Sequence, residues 1–146
     1  MQPITLTIER DVYTALVRAA RRAAPLEACG LCGGAAGNVT RFYELTNADA
    51  SPEHFGMRPE DQFAAVKDMR ARGLTLLALW HSHPASPARM SDEDLRLAFT
   101  PGIVHLILSL AEPEHPDLRG YRVVNGHPEP IAIVRRDAAI TLGVSA

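Results

Sequence analysis

The residues best able to do chemistry lie in Trp80-His81-Ser82-His83-Pro84 and, further on, Ser91-Asp92-Glu93-Asp94. Two imidazoles stand two residues apart at the end of an apolar run, Leu74-Thr75-Leu76-Leu77-Ala78-Leu79-Trp80, and the Asp94 carboxylate follows eleven residues after His83. In an extended strand, side chains two apart leave the same face. His81 and His83 can thus offer two nitrogens to one point. Two imidazoles and a carboxylate make a common catalytic zinc set, with the fourth position open to water. Taken alone, the histidines fit better as hydrogen-bonded residues at a strand end. Ser91-x-x-Asp94 likewise reads as a variant capping box, Ser91 at the N-cap of a helix and the carboxylate at N3. The cap and the ligand role are compatible, because a capped first turn holds Asp94 in place.

With Glu27 upstream, these segments match the signature of the JAMM (MPN+) zinc metallopeptidases in spacing and residue type, and the chain resembles that family. Glu27-Ala28-Cys29-Gly30, Asn47-Ala48-Asp49-Ala50-Ser51-Pro52, Phe55 and Leu118-Arg119-Gly120-Tyr121-Arg122 are similar to its compact prokaryotic branch, over roughly residues 4–134. That branch includes peptidases acting on ubiquitin-like sulfur-carrier proteins. The resemblance implies that His81, His83 and Asp94 hold zinc, which lowers the pKa of a bound water from 15.7 to about 7. It further implies that Glu27 takes the water's proton and returns it to the leaving amine, and that the Ser91 hydroxyl donates to the developing oxyanion.

The elements that must position these groups are legible in outline. Thr7 is expected to cap a first helix from Ile8 to Ala24, with Ile8, Val12, Leu16, Ala19 and Ala23 inward and Pro25 as its stop. Cys29–Gly34 and Val39–Leu45 read as strands around Gly33-Gly34-Ala35-Ala36-Gly37-Asn38. Residues 46–58 read as a loop. Pro59 opens a second helix ending at Gly73, with Phe63, Val66 and Met69 on its inner face. Leu74–Trp80 has the continuous apolarity of a strand covered on both faces. Ser91 starts a short helix through Leu95, Leu97, Ala98 and Phe99, and Ile103–Leu110 is another strand. Tyr121–Val124 and Pro130–Val134 flank the turn signal Asn125-Gly126, as a hairpin with a somewhat longer loop. The expected fold is α+β: one MPN/JAMM-like domain over residues 1–146, a mainly antiparallel mixed sheet flanked by helices.

A net charge of −2 from seventeen acidic and fifteen basic residues gives no reason to expect nucleic acid, and no basic block suggests a membrane surface. No segment has the ~18–20 apolar residues of a membrane span, and the N-terminus lacks a leader pattern, so the expectation is a cytoplasmic protein. Cys29-x-x-Cys32 is a lone pair, too little for a structural zinc site. It reads as two buried apolar residues, with a redox switch beside Glu27 as the sharper alternative. His54, His105, His115 and His127 are read as bystanders, and Asp92 and Glu93 as solvent-facing charges favouring a helix N-terminus.

The resembled family hydrolyses bonds after the C-terminal Gly-Gly of ubiquitin-like proteins. Short segments between the motifs leave no room for large substrate-gripping insertions, so the expected partner is a ubiquitin-like sulfur-carrier protein. It would lose a C-terminal amino acid such as cysteine, or be freed from a lysine. A zinc hydrolase of small amides and a non-catalytic MPN scaffold are the competing readings. A homodimer is left open.

Overall fold

The computed structural model describes residues 5–96, 98 and 102–136. In chain order these form β1 (Thr5–Glu9), α1 (Arg10–Ala23), β2 (Cys29–Ala35), β3 (Asn38–Leu45), α2 (Pro59–Ala71), β4 (Thr75–His83), α3 (Asp92–Arg96), β5 (Val104–Ser109), β6 (Asp117–Val124) and β7 (His127–Arg136). The strands close in the order β1-β3-β2-β4-β5-β6-β7. The β2/β3, β2/β4, β5/β6 and β6/β7 pairs are antiparallel; β4/β5 and both pairings of β1 are parallel. The architecture is thus the expected α+β, with a mixed sheet. Among the described residues no helix is long and apolar enough to cross a membrane.

The N-terminus departs from the sequence reading. Thr5–Glu9 is a strand, paired along its whole length with β7 and at Thr7 and Ile8 with β3. The first helix therefore starts at Arg10, its N-cap is Glu9 without a side-chain bond, and Thr7 caps nothing. Leu6 and Ile8 alternate into the core while Thr5 stays exposed, a period-two pattern. Val12, Leu16 and Ala19 do line the buried face of α1. In α2, Met69 is buried and Val66 packs beside it, but Phe63 is 71% exposed and belongs to the outer face.

Strand β4 is covered on both sides, which explains its continuous apolarity. Ala78 and Trp80 join the larger core with α1, β1 and β5, where Phe42 meets Trp80 edge-on at 5.2 Å. Leu76 and Leu79 pack with Leu31 and Met69 under α2. The β6–β7 connection is tighter than expected: Val124 pairs directly with His127 across Asn125 (φ 52°) and Gly126 (φ 78°), a two-residue loop whose two positive φ values suit Asn-Gly. Helix α3 is described over Asp92–Arg96; Leu97 and Phe99 of its expected extension lie outside the described residues.

Candidate metal centre and catalytic site

β4 delivers two of the three groups. Its last residues, His81, Ser82 and His83, are all buried, and the ladder with β5 runs to the end, pairing His81 with Ile107 and His83 with Ser109. Both rings leave one face, with centroids 5.0 Å apart. Ser82 leaves the other. Its hydroxyl accepts the Ala28 N–H at 2.8 Å, and its own N–H donates to the Ala28 carbonyl at 3.0 Å. The residue after Glu27 is thereby clamped to the strand between the two histidines.

The third group comes from the first turn of α3. The Ser91 hydroxyl accepts the Asp94 N–H at 3.0 Å, and Asp94 Oδ2 accepts the Ser91 N–H at 2.9 Å, a reciprocal capping box. The same Oδ2 lies 3.3 Å from Nε2 of His81 and 3.3 Å from Nε2 of His83, and the two nitrogens are 3.2 Å apart. With bonds of ~2.0–2.1 Å, a tetrahedron of ligands around zinc has edges of about 3.3 Å. The triangle fits. The donor chemistry fits as well: His83 Nδ1 donates to the Pro87 carbonyl at 2.8 Å, leaving Nε2 of the neutral ring as a free lone pair.

Charge reinforces the arrangement. Burial works against ionisation of Asp94, but its bonds to His81 and His83 outweigh this and hold the carboxyl well below the usual range. Burial pushes His81 down, towards the neutral form that binds metal. For His83 burial also pulls downward, but Asp94 and the Pro87 carbonyl carry it upward overall. A proton on His83 therefore competes with a cation for this site.

Glu27 precedes β2 and is only 3% exposed, with Oε1 buried and unpartnered among the described residues. Desolvation raises its carboxyl to about 8, with His83 opposing and Asp94 adding to the rise. Among the described residues it is not part of the group that could hold a metal ion, His81, His83 and Asp94. A carboxyl that ionises near neutral pH can both accept and return a proton. Its backbone is fixed twice more: the Glu27 N–H donates to the Ser51 carbonyl at 2.9 Å, and Asn47 Nδ2 donates to the Glu27 carbonyl at 3.0 Å.

Asn47 is a hub to which the sequence reading, which took it only as part of a family-like segment, gave no role. Its amide also donates to the His54 carbonyl, and its Oδ1 accepts the N–H groups of Asp49 and Gly56. The loop so pinned stacks Phe55 on the His81 ring at 4.6 Å. That residues 46–58 form a loop was legible in the sequence; the grip of Asn47 on Glu27 was not. Two supposed bystanders, His54 and His105, join Glu93 in lining a cleft against His81 and Asp94, so Glu93 is not purely solvent-facing. His115 and His127 are exposed and not part of the cluster.

Cys29 and Cys32 are free and fully buried, and burial pushes both thiols up to about 12. Three apart on a strand, they point to opposite faces. This geometry favours the packing role over a redox switch.

Residues 9–124 match the family model described as prokaryotic homologs of the JAB domain. The chain is 33% identical over 135 residues to the CysO-cysteine peptidase of Mycobacterium tuberculosis, covering 90% of this chain and 92% of that one. It is 38% identical over 78 residues to a probable TtuB-protein conjugate cleaving protease of Thermus thermophilus, about half of each chain (53% and 52%). A solution structure of a Desulfitobacterium hafniense protein superposes with a TM-score of 0.84 at 43% identity, covering 90% of this chain and 93% of that one.

Proposed function

The chain belongs to the prokaryotic JAB-domain branch of the JAMM/MPN family, and from that premise we propose that it is a zinc-dependent peptidase of ubiquitin-like carrier conjugates. Its substrate is the bond after the C-terminal Gly-Gly of a ubiquitin-like sulfur-carrier protein, joined to an amino acid or to a lysine. One observation carries the reading: three ligand atoms 3.2–3.3 Å apart stand beside a buried carboxyl that is not part of their cluster. The names of the Mycobacterium and Thermus relatives support the substrate class.

His81, His83 and Asp94 would hold the ion, which would supply Lewis acidity and make a water more acidic. Glu27 receives the proton of the attacking water and hands it to the departing amine. Its raised pKa matches both halves of that task, as base and then as acid. The Ser91 oxygen accepts from the Asp94 N–H. Its own proton is thus free to be donated to the carbonyl oxygen as negative charge builds there, a contact worth roughly 3 kcal/mol in comparable sites. No covalent intermediate is required.

A Gly-Gly tail suits a metal at the foot of a narrow approach, because it has no side chains to obstruct. Ordering such a tail is costly, so affinity should come partly from the carrier's folded body. The test compares an intact carrier conjugate with its isolated tail peptide and with a tail whose last Gly is replaced by Ala. Strong preference for the intact Gly-Gly conjugate is expected. Equal turnover of all three refutes a protein substrate and favours a hydrolase of small amides.

A further inference from the structure

The two ligand histidines differ in how their second ring nitrogen is held. A metal-binding imidazole usually donates that N–H to a carboxylate or a carbonyl, which fixes the tautomer and the rotation of the ring. His83 follows this rule through Nδ1 and the Pro87 carbonyl at 2.8 Å. His81 does not. Its Nε2 is turned towards Asp94 and His83, so as a neutral ligand it carries its proton on Nδ1. That Nδ1 is buried, in a residue 1% exposed, and has no partner among the described residues. What lies against this ring is another ring: Phe55, with centroids 4.6 Å apart and planes 26° from parallel.

A stacked face can orient a ligand only if it is itself immobile, and one side chain holds Phe55 from both directions. Asn47 Nδ2 donates to the His54 carbonyl at 3.0 Å, and Asn47 Oδ1 accepts the Gly56 N–H at 3.1 Å. The residues before and after Phe55 thus share one amide. The segment is tight as well. A Cβ added at Gly56 would come within 2.9 Å of the Asp49 carboxylate, which itself meets His54 Nδ1 at 3.0 Å. The same Asn47 Nδ2 also holds the Glu27 carbonyl.

We propose that Phe55 is a positioning residue for the metal: its ring, pinned by Asn47, sets the rotation of the His81 imidazole in place of a hydrogen bond to Nδ1. The inference rests on the metal-centre reading and deepens it. The Nε2 lone pair lies in the plane of the imidazole, so turning the ring swings it off the point shared with His83 and Asp94. A flat neighbour stacked on the ring opposes that turn. An aliphatic side chain of similar bulk fills the space without offering a face. Asn47 then ties a ligand to the base, since it grips both the loop that carries Phe55 and the backbone of Glu27.

The test measures zinc affinity by competition with a chelator, and the visible absorption of the cobalt(II)-substituted protein, whose bands report ligand geometry. Phe55→Leu keeps apolar bulk and removes the plane. It should weaken zinc binding at least ~10-fold, as loss of a group that orients a ligand typically does, and shift the cobalt bands. Phe55→Tyr restores a stacking face and should bind zinc within about twofold of the wild type, with wild-type bands. Val66→Ala loosens the packing under α2 without touching the stack. It should lower the melting temperature in chelator and leave zinc affinity and cobalt bands unchanged. Asn47→Ala should shift the bands as Phe55→Leu does and, at saturating zinc, lower kcat further because the Glu27 carbonyl is released too; unshifted bands there would remove Asn47 from the assignment. Wild-type affinity and bands in Phe55→Leu, or equal weakening in Phe55→Leu and Phe55→Tyr, would overturn the role of the ring. So would a zinc loss in Val66→Ala as large as that in Phe55→Leu, which would mark a general loss of stability. A wild type that binds neither metal sinks the metal-centre reading itself, whereas a wild type that binds both alongside an unaltered Phe55→Leu removes the positioning role alone.

Discussion

Replacing Glu27 by Gln keeps its shape while removing its ability to carry a proton, so the outcomes separate a base from a ligand and from a structural residue. The side chain is 3% exposed, and desolvation lifts its carboxyl from 4.5 to about 8. The folded zinc-free protein thus holds this proton more tightly than the unfolded chain does. The sign follows: the group's contribution to stability is complete below about 4.5 and is lost as pH rises through about 8. At ~1.4 kcal/mol per pKa unit, the buried carboxylate costs the zinc-free fold on the order of a few kcal/mol above pH 8. Glutamine carries no such cost. In the presence of chelator, Glu27→Gln should melt above the wild type by roughly 5–10 °C at pH 8–9, taking ~2–4 °C per kcal/mol, and level with it near pH 4. In the metal-loaded protein the variant should keep its zinc, measured by elemental analysis, and lose at least ~10²-fold in turnover. Thermal melts across pH, metal content and conjugate cleavage together decide the matter. A melting difference that does not change with pH refutes desolvation as the source of the shift. Loss of zinc makes Glu27 a ligand, and unchanged turnover removes it from the mechanism.

Purified protein should contain close to one zinc per chain, and His83→Ala should abolish both binding and hydrolysis; a metal-free protein with full activity would sink the ligand assignment. Ser82→Ala strands the buried Ala28 N–H, so stability should drop by about 1–3 kcal/mol, and turnover should fall while zinc content holds; unchanged turnover would show that the clamp does not position Glu27. Ser91→Ala should cost ~10²-fold in kcat with little change in KM, alongside ~1 kcal/mol from the lost cap, and a KM effect alone would contradict an oxyanion role. With both thiols pushed up to about 12, native protein at pH 7 should resist alkylation at Cys29 and Cys32 until denatured, as mass spectrometry can record; rapid labelling of either would reopen the redox alternative.

The geometry of the histidines and of Asp94 was legible because it depends on local periodicity. A strand puts residues two apart on one face, which brings the His81 and His83 rings together. Ser91 and Asp94 cap each other within a single turn. The apolar run Leu74–Trp80 announced a strand buried on both sides for the same reason. Glu27 differs: nothing in Pro25-Leu26-Glu27 itself distinguishes it from a surface carboxylate, and only likeness to a family picked it out. What makes it unusual is supplied from far along the chain, by Ser82 bonded to Ala28 and by Asn47 and Ser51 holding its backbone. Its raised pKa is a product of that enclosure.

The misreadings have the same origin. Thr5–Glu9 became a strand because its hydrogen-bond partners are Ala132–Arg136 of β7, contacts no local window contains. Phe63 is on the outer face because α2 presents Ala65 and Met69 to the sheet, a rotation set by packing rather than by the helical pattern. His105 looked idle in an apolar strand until the β4/β5 register set it beside Leu79, in a cleft it shares with His81 and Asp94. The sequence by itself determined which side chains could share a face, since backbone geometry dictates that. Which faces meet, and which carboxyl or imidazole is cut off from water when they do, was decided only by the closed sheet, because burial and register are properties of strands brought together from distant parts of the chain.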